Sequence, residues 1–96
     1  MTSAKSPTHT LQSEDTIASI STRMKRAQGQ IGGIIRMLEE GRNCDEIVTQ
    51  MSAVSKAVHT AAFTLISASL EECIIDGRDD QKAVSEKLRK LFLSLA

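Results

Sequence analysis

The chain has 96 residues, 12 basic against 12 acidic side chains, a net charge of zero and only two aromatics, Phe63 and Phe92. That length allows one domain or one subunit of an assembly, and a core built from aliphatic side chains alone. The first residues lack the charged-then-apolar order of a signal peptide, and no apolar run is expected to reach the ~20 residues of a membrane span. A cytoplasmic protein with reduced thiols is the expectation.

Met1 to Gln12 is rich in Ser and Thr, holds the only proline, Pro7, and shows no periodicity, so residues 1–12 read as a disordered arm. Residues 13–96 read as the helical domain. Ser13 followed by Glu14 and Asp15 has the form of a helix N-cap with acids in the first turn. Ile17, Ile20, Met24, Ala27, Ile31, Ile34, Ile35 and Leu38 then recur at three- and four-residue steps, the mark of an amphipathic helix ending at Gly41. Gly29, Gly32 and Gly33 lie inside it, which is explained by close approach of another backbone or by a mild kink.

Asn43 or Asp45 is positioned to cap a second helix. Its apolar stripe runs from Ile47 to Ile74 and Gly77 stops it, giving a rod of nearly 50 Å at about 1.5 Å per residue. Such a rod belongs in a helical bundle. Asp79 and Asp80 open a short third helix carrying Val84, Leu88, Leu91, Phe92 and Leu95 on one side. Strand patterns, repeats and glycine-rich phosphate loops do not occur, so the fold class is all-α.

Charge is sorted along the chain. Residues 21–42 carry five basic side chains against two acidic ones, residues 44–80 carry two against seven, and the tail from Gln81 carries four against one. The basic first helix can face an acidic polymer, although a merely solvated face has the same composition.

Chemistry centres on the two cysteines, Cys44 and Cys73. Their spacing of 29 residues is about eight helical turns with ~20° left over, so both lie on one stripe about 43 Å apart. They cannot meet within one straight helix. Set antiparallel to a copy of itself, the helix brings Cys44 of one chain beside Cys73 of the other, and a two-fold axis makes the pair twice. Cys44 sits where a helix N-terminus favours thiolate, whereas Cys73 follows Glu71 and Glu72, which disfavour it. That is the pattern of an attacking and a resolving thiol. Two buried, inert thiols are the bland alternative. His9 and His59 lack a context for nucleophilic catalysis; His59 reads as a partly buried polar residue or a pH-sensing group, and Met24, Met37 and Met51 as core filling. An enzyme is not expected.

The runs Arg23-Met-Lys-Arg-Ala-Gln-Gly29-Gln-Ile, Gly33-Ile-Ile-Arg36-Met-Leu-Glu-Glu40, Gln50-Met-Ser-Ala-Val and Leu70-Glu-Glu-Cys73, together with Cys44, resemble the CsoR/RcnR/FrmR family of small bacterial transcriptional repressors. The resemblance covers about residues 17–95. It implies a three-helix protomer that forms an antiparallel four-helix-bundle dimer, with dimers pairing into a disc-like tetramer. It also implies operator DNA as partner, released when an inducer reaches a cysteine site between subunits. The family's copper sensors carry a histidine four residues before the second cysteine; here that position is Ser69. A hydroxyl is a poor copper(I) ligand. Loss of that histidine with both cysteines kept resembles the persulfide-sensing, CstR-like branch, with reactive sulfur species as inducer and no cofactor. A copper(I) site on Cys44 and Cys73 is the alternative. A thiol oxidoreductase or sulfur carrier without DNA binding is a third reading, which no Cys-x-x-Cys motif supports. For DNA contacts the resemblance points to Arg23, Lys25 and Arg26, and Lys56 stands one turn before Thr60, a position that is basic in several relatives.

Overall fold

The computed structural model describes residues 8–77 and 80–95; the proline of the arm and Asp79 of the expected third-helix cap lie outside them. Three helices follow in order, α1 (Glu14–Glu39), α2 (Cys44–Asp76) and α3 (Gln81–Ser94), with no strand among the described residues. The protomer is a rod of 54 × 25 × 25 Å. α2 packs against both other helices, whereas α1 and α3 do not pack on each other.

Local chemistry sets the helix ends. Ser13 caps α1 by accepting from the Thr16 N–H at 3.2 Å. At the other end Gly41 takes a left-handed conformation, φ 73°. The Arg42 N–H then donates to the Met37 carbonyl at 3.0 Å and the Gly41 N–H to that of Leu38 at 3.2 Å, the paired bonds of a Schellman turn. Of the two candidate caps for α2, Asn43 takes the role: its Oδ1 accepts from the Glu46 N–H at 2.9 Å, and its Nδ2 donates back to the Glu46 carboxylate at 2.9 Å. Arg42 adds a 2.6 Å contact to the same carboxylate. The α1–α2 connection is therefore hydrogen-bonded across its whole length. Gly77, φ 61°, stops α2, and Asp80 precedes α3.

α1 and α2 form an antiparallel hairpin. Ala27 and Ile34 of α1 interleave with Ile47 and Val54 of α2, with Met37 and Val58 packed beside them. Full withdrawal of a side chain the size of Ile34, Ile47 or Val54 from water contributes about 1.5–3 kcal/mol. Farther along α2 the buried side chains are Ala61, Ile66, Ser69 and Cys73, joined by Val84 of α3. The Phe63 and Phe92 rings meet with centroids 4.7 Å apart.

A second apolar stripe remains uncovered. Ile17, Met24, Ile31 and Leu38 follow one another at seven-residue steps, and each is between 43% and 54% exposed. Seven-residue repetition is the spacing that keeps a seam facing another helix. Val48, Met51 and Leu65 are likewise exposed on α2. The helical glycines meet no backbone within the protomer: nothing approaches Gly29, and only the Arg36 guanidinium comes near Gly32 and Gly33.

One expectation changes here. α2 is long and apolar enough to cross a membrane by length and composition, because it carries no Asp, Glu, Lys or Arg between Lys56 and Glu71. Serine and threonine are scattered through that stretch, which hides it from a search for unbroken apolar runs.

Candidate functional site

Cys44 and Cys73 occupy opposite ends of α2 and differ in surroundings. Cys44 is the first helical residue, directly after the Asn43 cap, and is exposed. Cys73 stands one turn before the Gly77 stop and has no exposed surface. A single protomer does not bring them together. Among the described residues no group of three or more His, Cys, Asp or Glu side chains could hold a metal ion.

Ser69, where copper sensors of the resembled family carry histidine, is 4% exposed and lies one turn before Cys73 on the same buried face. His59 is exposed at mid-helix, about 21 Å along the axis from Cys73.

The end of α2 has a second feature. α2 is seven residues longer than α1, so its last turns overhang the hairpin. There the Glu72 carboxylate accepts from the Gln12 N–H at 2.8 Å and the Ser13 N–H at 2.9 Å, and its Oε1 lies 2.8 Å from His9 Nε2. These bonds, the Gln12 backbone first and the His9 ring second, hold the Glu72 carboxyl below the usual glutamate range. The His9 side chain is only 3% exposed. Thr8–Gln12, read from sequence as part of a disordered arm, are thus tied to α2. Composition gave no sign of it, because the bonds come from backbone N–H groups and one histidine.

The basic residues divide between two faces. Arg23 and Arg26 of α1 and Lys56 of α2 line one groove along the hairpin, together with Gln30 and Thr60. Lys25 instead lines a groove on the opposite side, with Met24, Gln28, Ile31 and Val58. Two residues on a helix are about 200° apart, so Lys25 cannot share a face with Arg23. Gln30 escaped the sequence reading, although it stands four residues after Arg26 and seven after Arg23, on the same stripe.

A family model for the metal-sensitive transcriptional repressors matches residues 16–94, spanning all three helices. The chain belongs to that family. Its members are repressors, not enzymes. The copper-sensing transcriptional repressor CsoR of Bacillus subtilis (strain 168) is 38% identical over 72 residues, 72% of this chain and 71% of that protein. The copper-sensing transcriptional repressor RicR of Mycobacterium tuberculosis (strain H37Rv) is 40% identical over 52 residues, 54% of each. An uncharacterized protein of Bacillus subtilis, YrkD, is 36% identical over 62 residues, 60% of this chain and 98% of its own length. The match spans about half the length of the mycobacterial relative. The three helices, with no strand among the described residues, are consistent with that family.

Proposed function

We propose that the protein is a cytoplasmic, DNA-binding transcriptional repressor that leaves its operator when an inducer engages Cys44 of one subunit and Cys73 of a neighbour. Membership of the repressor family supports the DNA activity. The groove of Arg23, Arg26 and Lys56 supplies cations for phosphates, with Gln30 and Thr60 as polar neighbours. The seam of Ile17, Met24, Ile31 and Leu38 supports assembly through a second copy, first as an antiparallel dimer and then as a tetramer. Assembly of this kind also accounts for the apolar length of α2 without a membrane.

For the inducer, the observation that carries the reading is the donor set. Two thiols are present, and the position four residues before Cys73 holds a buried hydroxyl. Such a pair suits reactive sulfur. The Cys44 thiolate attacks the sulfane sulfur of a persulfide RS–SH, which gives a Cys44 persulfide and releases the thiolate RS⁻. The Cys73 thiolate of the neighbour then attacks the Cys44 sulfur, closing a disulfide between chains and releasing hydrosulfide. Polysulfides leave longer sulfur bridges by the same exchange.

Copper(I) is the second reading, favoured by the names of the Bacillus and mycobacterial relatives. Cys44 and Cys73 of neighbouring subunits would hold it, since two thiolates suit this soft ion. One experiment separates the two readings. Operator anisotropy is followed in anaerobic protein given polysulfide or copper(I), with intact mass read in parallel. Release with paired chains and added sulfur supports the sulfur reading; release by one equivalent of copper(I) alone replaces it.

A further inference from the structure

We propose that the strap Thr8–Ser13 is a latch: closed on Glu72 it shields Cys73, and it must open before that thiol reacts. The role of Cys73 as part of the inducer site rests on the function proposed above; the shielding itself rests on geometry.

Three observations converge. Cys73 has no exposed surface in a single protomer, although Ile74 and Ile75 beside it are 62% and 78% exposed. Its shelter therefore lies on one side of α2. That side is not α1, which begins at Glu14 and leaves the last turns of α2 overhanging. The described segments flanking the overhang are α3 and the strap. Second, the strap is fastened at the residue next to the thiol, through three bonds to one carboxylate. Bonds to an ionised acceptor are the strong class. Third, Thr8 and His9 line a groove with Val84, Lys87 and Leu88, so the strap also lies along α3. Ser13 is at once the last strap residue and the cap of α1.

α1 and α3 do not pack together, and the strap bridges them at the sensor end. An event that displaces Glu72 frees the strap from α2 and with it the tether on the Ser13 N–H, where the helix that carries Arg23 and Arg26 begins. Coupling of this kind is reciprocal, so closing the latch from the α1 side also protects the thiol.

The test uses the full chain carrying Cys44→Ser, so that Cys73 is the one thiol, and measures maleimide labelling without sulfur, copper or DNA. Glu72→Ala removes the acceptor of all three bonds and should accelerate labelling about tenfold or more, since a shielded site reacts through its open population. His9→Ala removes one bond, leaves α2 unaltered and should accelerate it less. Amide exchange at Ile47 and Val54, in the distant core, should stay as slow as in the parent. Labelling as slow in both variants as in the parent overturns the latch. Acceleration that comes with lost protection at Ile47 and Val54 overturns it too, by showing general loosening. The inducer reading can fail while this result stands, because the probe uses neither inducer nor operator.

Discussion

Cys44 lies open at the first residue of α2, and Cys73, one turn from its end, is wholly enclosed. The two thiols should differ in rate rather than in final extent of reaction. In the reduced wild-type protein, limited maleimide followed by peptide mass mapping should find the label on Cys44 first, by about tenfold or more. Equal labelling at early times would show that Cys73 is not enclosed in solution.

The two-sided placement of the basic residues makes a graded prediction for DNA. Arg23→Ala and Arg26→Ala should each weaken operator binding and lower the salt slope by about one, the signature of a lost phosphate contact. Lys25→Ala should leave that slope nearly unchanged, because Lys25 lines the opposite groove. Anisotropy titrations over a range of salt check this, and equal losses for all three would mean that DNA does not follow the Arg23–Lys56 groove.

Assembly should depend on the seam at Ile31, half exposed within the protomer. Ile31→Glu places a charge where another helix is expected to pack and should shift the protein toward monomer in sedimentation equilibrium, with helicity kept. A variant as associated as the parent would move the interface elsewhere.

The helices and their ends were legible in the sequence because their signals are local. Ser13, Asn43, Gly41 and Gly77 act within four residues of themselves, and the three- and four-residue recurrence of apolar side chains needs only the geometry of one helix. The thiol pair was legible as a stripe but not as an environment. The strap bonded to Glu72 comes from about 60 residues earlier in the chain, and α3 packs on α2 from about 10 residues beyond Cys73, separations that no window along the chain contains. Glu72 carried no signal of its own among the acids around it. Lys25, which the resemblance grouped with Arg23 and Arg26, lines a different groove from them, a division that counting 100° per residue along α1 makes visible.

Gly41, like Gly77, should resist replacement for stability. At φ 73° any side chain is strained, so Gly41→Ala should destabilise by about 1–2 kcal/mol in chemical unfolding. Gly29→Ala should not destabilise the isolated fold, since nothing lies near an added Cβ there and alanine favours helix. A Gly29→Ala variant that folds but no longer associates would place another chain at this surface.

Acid should loosen the strap. The Glu72 carboxyl is held below its ordinary value, first by the Gln12 N–H and then by His9. Its contribution is therefore fully present above the unfolded-state value of about 4.3 and is lost as pH falls through the lower folded-state value. The Gln12 and Ser13 amide resonances should titrate together with a midpoint below the ordinary glutamate range. A midpoint at or above that range would mean that the carboxylate is not their acceptor in solution.

The closed turn from Met37 to Glu46 has a mechanical consequence. Cys44 is mounted directly behind hydrogen bonds that lock Gly41, Arg42 and Asn43, so no slack loop lets the thiol drift toward a partner. Drawing it inward has to swing the whole of α2 as a lever. Over a rod about 50 Å long, a tilt of about 5° sweeps one end by about 4 Å relative to the other. Lys56, about 18 Å along the rod from Cys44, shifts by about 1.6 Å relative to it in the same tilt, so under the proposed function a bond at the thiol also moves this cation of the groove.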